Sequence, residues 1–356
     1  MVVISFFLFI YSLSLLNSIM KKTIIFLSVI ILTQVANRIH AQQLTGLHVI
    51  NTFHIASPGG WDYIEIGPVN DWLYVSHGTQ VNVLNKKTGD SVAVIENTTG
   101  VHGIAFDVAN KKGFTSNGRI NTVTVFDMNT NKVLAQISTG QNPDAIFYES
   151  FSKKIITCNG RSKNLSIIDP LQNKTIDSVD VGGKPETAVS DDAGKIFVNI
   201  EDKNEIVQID AKTFKVLNHW SIAPADGPTG LAYDKITKRL FAGCDKMLVV
   251  LDAITGKVIA TPAIGDGCDG VAFDPATKNI YTSNGEGTIT VIHEDGADKF
   301  TVTENVTTKR GARTITLDKA THLIYLPTAE FEAADPNQKG RPKMKPGTFQ
   351  VVVVGK

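Results

Sequence analysis

The chain has 356 residues, 42% of them hydrophobic and 20% charged, with a formal net charge of +0 at pH 7. That apolar content supports a large core, and the charge balance argues against a generally basic surface that coats nucleic acid. The first 41 residues hold Lys21, Lys22 and Arg38 and no acid, so without them 32 basic residues face 35 acidic ones, a charge of −3; only a local basic patch stays open.

Met20-Lys21-Lys22 reads as a charged n-region, Thr23 to Thr33 as an apolar core and Ile39-His40-Ala41 as a cleavage site before Gln42. Residues 1–41 are therefore expected to be a signal peptide, with Met20 as the true start and a periplasmic or secreted mature chain. The competing reading is a membrane anchor. Lys21 and Lys22 interrupt the two apolar runs, and neither is a clean span of about 20 residues. No Cys follows the apolar core, so lipid attachment there is not expected.

Leu47 to Ile55 reads as a lone strand. After it one sentence recurs: His102-Gly103-Ile104-Ala105-Phe106-Asp107, then Phe114-Thr115-Ser116-Asn117, then Val123-Thr124-Val125-Phe126-Asp127, with the same pattern again from Asp269. The repeat opens at Asp62, His102, Asp144, Glu186, Thr229, Asp269 and Arg313, in steps of 40, 42, 42, 43, 40 and 44 residues. About four short strands at this period predict an all-β, seven-bladed β-propeller of four-stranded antiparallel blades over 42–356. The last repeat ends at Val351 to Val354, its third strand. The N-terminal strand is expected to complete that blade and close the ring, removing the open edges.

Polar loops such as Asn110-Lys111-Lys112 and Thr255-Gly256-Lys257 read as hairpin turns. Asn85, Asp127, Asp169, Asp210, Asp252 and His293 close the third strands. They are expected to bond their own turn backbones rather than form a ring of ligands. The last repeat carries an insertion, 329–347, too long for a tight array and thus functional or disordered. Of the three cysteines, Cys158 reads as a buried apolar residue, and a Cys244–Cys268 bridge is geometrically conceivable.

Antiparallel alternation puts the seven openings around one mouth of the central channel, with the ends of the second strands on the same face. The candidate ligand-binding residues are Asp62, His77, His102, Asn117, Asp144, Asn159, Glu186, Asp269, Asn284 and Arg313. Carboxylates and amide carbonyls on convergent loops suit Ca²⁺, with Asp144, Glu186 and Asp269 as candidate ligands. His77 and His102, if they face each other, favour Zn²⁺ instead. A metal-free polar pocket is the third option, and the insertion is a candidate lid. The competing structural reading is that each Asp or Asn recurs as a turn residue of a copied blade. Trp61 reads as packing between blades. There is no Cys-x-x-Cys-His, G-x-S-x-G, H-E-x-x-H or Walker-type loop, so neither haem attachment nor nucleophilic catalysis is supported.

The tetrads Tyr74-Val75-Ser76-His77, Phe114-Thr115-Ser116-Asn117, Ile156-Thr157-Cys158-Asn159 and Tyr281-Thr282-Ser283-Asn284 resemble a Tyr-Val-Thr-Asn repeat. With the strand ends Ile168-Asp169 and Ile209-Asp210, the chain is similar to the YVTN-repeat, or YncE-like, family of seven-bladed propellers from about Leu47 to Lys356. The resemblance implies a secreted or periplasmic binding protein. Some relatives are associated with single-stranded DNA, and others are similar to haem d1 domains or lactonases. The expectation is a monomeric protein that binds a small molecule or protein partner at the channel mouth, without haem. The alternatives are a lactonase or related hydrolase using a divalent cation, Ca²⁺ or Zn²⁺, and an interaction scaffold.

Overall fold

The computed structural model describes residues 46–332 and 343–356. The expected signal peptide lies outside the described residues, as do 333–342 of the insertion. The described architecture belongs to one unit, Leu47–Gly355.

That unit is a seven-bladed β-propeller of four-stranded antiparallel sheets. Blades I to VI are consecutive meanders whose first strands are Trp61–Ile66, Val101–Asp107, Pro143–Glu149, Pro185–Ser190, Leu231–Asp234 and Cys268–Asp274. Blade VII takes Thr316–Asp318, Leu323–Thr328 and Gln350–Gly355 from the C-terminal end, and His48–His54 as its outer strand. Phe53 pairs with Val351 and Thr52 with Val352, and Ile55 N donates to Phe349 O at 2.9 Å. The ring thus closes as the missing fourth strand required.

Burial follows position within the blade. Second and third strands, such as Lys154–Asn159 and Asn164–Asp169, are buried after their first residue because neighbouring blades cover both faces. Outer strands such as Val133–Ser138 are mostly exposed. The apolar clusters bridge blades: Phe53, Tyr325, Val351 and Val353 of blade VII pack on Ile64, Leu73 and Val75 of blade I. Each fully buried aliphatic side chain contributes roughly 1.5–3 kcal/mol.

The hairpins have the expected chemistry. Lys111, Lys153, Lys238 and Lys278 each take φ 56, and Gly89 and Gly256 take φ 78 and 73. Asn85, Asp127, Asp169, Asp210 and Asp252 each accept turn N–H bonds at the end of a third strand. His293 departs from this pattern, pairing through Nδ1 with Asn279 Oδ1 at 2.9 Å. Cys158, Cys244 and Cys268 are buried free thiols. The openings of blades V and VII also differ: regular strand begins at Leu231 and Thr316, after Thr229 and Arg313. Thr229 instead bonds across blades, its Oγ1 donating to Cys268 O at 2.8 Å.

Candidate functional site: the mouth of the channel

In five blades the first strand breaks register near its start, between Trp61 and Ile64, Val101 and Ile104, Pro143 and Ile146, Pro185 and Ala188, and Cys268 and Gly270. Asp62, His102, Asp144, Glu186 and Asp269 all lie inside these breaks. A bulge re-aims the side chain it carries, and here the re-aimed groups meet across the ring. Second-strand serines hold the loosened backbone. Ser76 Oγ accepts from Asp62 N at 3.0 Å and donates to Tyr63 O at 2.8 Å. Ser116 Oγ accepts from Gly103 N at 2.9 Å and donates to Asp144 O of the next blade. Ser283 Oγ donates to Arg313 O at 2.5 Å, and Thr314 Oγ1 to Asp62 O at 2.5 Å, tying blade VII to blade I.

The resulting network alternates in sign. His102 Nδ1 is 2.6 Å from Asp62 Oδ2 and 3.7 Å from Asp144 Oδ1. Arg313 Nη2 is 3.4 Å from Asp62 Oδ1, and Arg313 Nη1 pairs with Asp269. On the other side of the mouth, Lys184 Nζ is 3.2 Å from Glu186 Oε2 and also pairs with Glu201. Burial opposes the charge of His102, but the Asp62 hydrogen bond and the charges of Asp144, Asp62 and Glu186 prevail and raise its pKa to about 9. Protonated on both ring nitrogens, it is a donor to Asp62 in either ring orientation.

Burial acts the other way on the acids. It raises Asp144, to about 7, against the opposing pull of His102. It raises Glu186, to about 8, helped by the charge of Asp144 and opposed by Lys184. Tyr63 lies in the same field: burial, then Asp144, Asp62, Glu186 and Asp269, hold its phenol well above the usual value. It also packs against the cluster of blades III and IV around Ile156 and Val198, so it reaches across from blade I.

The ten expected residues fall into two groups. Asp62, His102, Asp144, Glu186, Asp269 and Arg313 converge on the mouth. His77, Asn117, Asn159 and Asn284 are fully buried inside their blades. His77 pairs with Ser57 Oγ at 2.5 Å and Gly59 O at 2.8 Å and stacks on Phe349 at 3.8 Å. Its partners are therefore separate from those of His102. Asn117 accepts from Thr115 and donates to Thr122 and Thr124; Asn159 and Asn284 repeat that pattern with Thr157, Asn164 and Ser166, and with Thr282, Thr288 and Thr290. These amides tie second strand to third. Sequence reasoning missed Tyr63, Lys184 and the serines. Strand alternation assigns Tyr63 to the face opposite Asp62, and only the bulge reverses that.

The one set among the described residues with metal-ligand spacing is Asp62, His102 and Asp144, whose ligand atoms lie within 4.8 Å of one another. It shares only Asp144 with the set the sequence suggested, because Glu186 and Asp269 have Lys184 and Arg313 as partners. A cation there would have to displace the His102 proton.

No protein-family model matches the chain, and no curated protein matches it in sequence. In structure it is similar to "Kuenenia stuttgartiensis Hydrazine Synthase", with TM-score 0.68 and 15% identity over 77% of this chain and 94% of that one. At that identity the likeness carries the fold alone. The class defined is an all-β seven-bladed propeller with a polar, charge-alternating mouth.

Proposed function

We propose that the protein is an exported binding protein of the YVTN-repeat kind, and that its channel mouth takes a small ligand rich in hydrogen-bond donors, such as an amine or a polyol. One observation carries this reading. Asp144 Oδ1 and Glu186 Oε2 are buried acceptors without a hydrogen bond of sound geometry, although His102 and Lys184 lie beside them. Buried acceptors whose hydrogen bonds are incomplete are costly, and a donor entering the mouth completes both. The rigid ring supports the site, as expected of loops that carry function over a stable scaffold.

A thermal-shift screen of amines and polyols tests this, with the Asp144→Asn, Glu186→Gln double variant beside wild type. A ligand that raises the melting temperature of wild type and not of the variant supports the reading. Ligands that shift both equally sink it.

A second reading is a metal-dependent lactonase or related hydrolase, favoured by the spacing of Asp62, His102 and Asp144. A divalent cation held there would polarise an ester carbonyl or activate water. Elemental analysis decides between the two: near-stoichiometric Ca²⁺ or Zn²⁺ in wild type, lost in Asp62→Ala, Asp144→Ala, selects the hydrolase.

A further inference from the structure

Beside the acidic mouth lies a cleft of ≈ 400 Å³ with the opposite chemistry. Its walls are Trp61 and Phe331, its charged groups are Arg310 and Arg313, and glycines form the remainder. No carboxylate lines it. Arg313 is divided between Asp269 and Asp62, whereas Arg310 is exposed and has no ion pair among the described residues.

The two rings are held in place. His77 stacks on Phe349 at 3.8 Å, Phe349 on Trp61 at 5.6 Å, and Trp61 meets Phe331 at 6.0 Å. Phe331 is fixed from the other side by the stem of the insertion, where Glu332 N donates to Lys343 O and Lys345 N to Glu330 O, both at 2.8 Å. Gly311, at φ +81, lets Phe331 lie directly on the backbone, since a Cβ there would stand 2.8 Å from the ring. The result is a rigid, angled aromatic wall with a bare glycine floor and a guanidinium at its rim.

We propose that this cleft is a binding site for a flat aromatic carboxylate. The ring lies against Trp61 and Phe331, and the carboxylate accepts paired N–H bonds from Arg310, the geometry a guanidinium favours. The site goes beyond the donor-seeking mouth and does not depend on it, because its ligand is an acceptor and its residues are not the unpaired acids.

Isothermal titration of the mature protein with phenylacetate, phenylacetamide, phenethylamine and acetate tests the assignment. Phenylacetate is expected to bind with a dissociation constant at or below about 1 mM. Phenylacetamide and acetate should bind about tenfold more weakly, and phenethylamine not detectably. Arg310→Gln should weaken phenylacetate about tenfold. Gly60→Leu should abolish binding while preserving the fold, since a Cβ at Gly60 meets no atom within 4 Å. Phenethylamine binding as tightly as phenylacetate, an unchanged affinity in Arg310→Gln, or no phenylacetate binding up to about 10 mM would each overturn it. Asp144→Asn, Glu186→Gln should leave phenylacetate binding intact, which separates this site from the mouth.

Discussion

At the face opposite the mouth, Asp127 Oδ1 accepts from Asn129 N at 3.0 Å and Thr130 N at 2.8 Å, and Asp210 Oδ1 accepts from Lys212 N at 3.1 Å and Thr213 N at 2.9 Å. At the mouth, Asp144 Oδ1 and Glu186 Oε2 accept no backbone N–H and face only the side chains of His102 and Lys184. The pKa values separate accordingly. The Thr213 backbone bond leads in lowering Asp210 to about 2, while burial raises Asp144 and Glu186. A hairpin presents its free N–H groups two and three residues past the strand end, within reach of the carboxylate that starts the turn. A bulge presents them to Ser76 and Ser116, so the mouth acids are left with one another and with His102, Arg313 and Lys184. A carboxylate is saturated by turn N–H groups at one face and left short of donors at the other.

The comparison is tested most severely at Asp274, at the end of the first strand of blade VI. It is fully buried, accepting from Ala276 N at 3.0 Å and Thr277 Oγ1 at 2.9 Å, and it is 2.7 Å from His322 Nδ1 in blade VII. Asp274→Ala leaves those donors without their acceptor and is expected to lower stability by about 3 kcal/mol in urea unfolding. A loss under about 1 kcal/mol would mean that these acids are no more structural than those of the mouth.

A smaller effect is expected at Ser116, which holds the backbone of the mouth. Ser116→Ala strands Gly103 N and Asp144 O, two buried groups on adjacent blades. The expected loss is about 2 kcal/mol. Hydrogen exchange should also speed up at Gly103, where the bulge loses its partner. If exchange there is unchanged, strand pairing rather than the serine holds the bulge.

The sequence carried the fold nearly whole, because period, alternation and turn residues are local signals, and the missing fourth strand dictated ring closure. The turn role of Asp127, Asp169, Asp210 and Asp252 was legible for the same reason: donor and acceptor are two or three residues apart. The mouth was legible only in part. Asp62, His102 and Asp269 could be placed at one opening by counting strands, but which acids pair with Arg313 depends on the curvature of the ring. His77 and Asn117 occupy equivalent positions at the ends of second strands, and their burial follows from what the third strand and the N-terminal segment place against them. Tyr63 was out of reach, since a bulge has no simple sequence mark.

The finest test concerns pH, where the two faces should pull in opposite directions. Asp210, lowered in the fold, contributes stability that is present above the unfolded carboxylate pKa of about 4 and is lost as pH falls through about 2. Asp144, raised in the fold, holds a proton that the unfolded chain has released, so its ionisation erodes stability as pH rises from about 4 through about 7. His102 adds to this limb, because its contribution is complete below about 6.5 and is lost as pH rises through about 9. In Asp144→Asn the amide keeps the shape and removes the ionisation. The variant should lie within about 1 kcal/mol of wild type at pH 5 and gain on it steadily as pH rises to 8, giving a shallower alkaline decline. Asp210→Asn should instead converge on wild type as the medium becomes acidic. Parallel curves for Asp144→Asn and wild type from pH 5 to pH 8 would mean that Asp144 is ionised throughout, placing it with the turn acids.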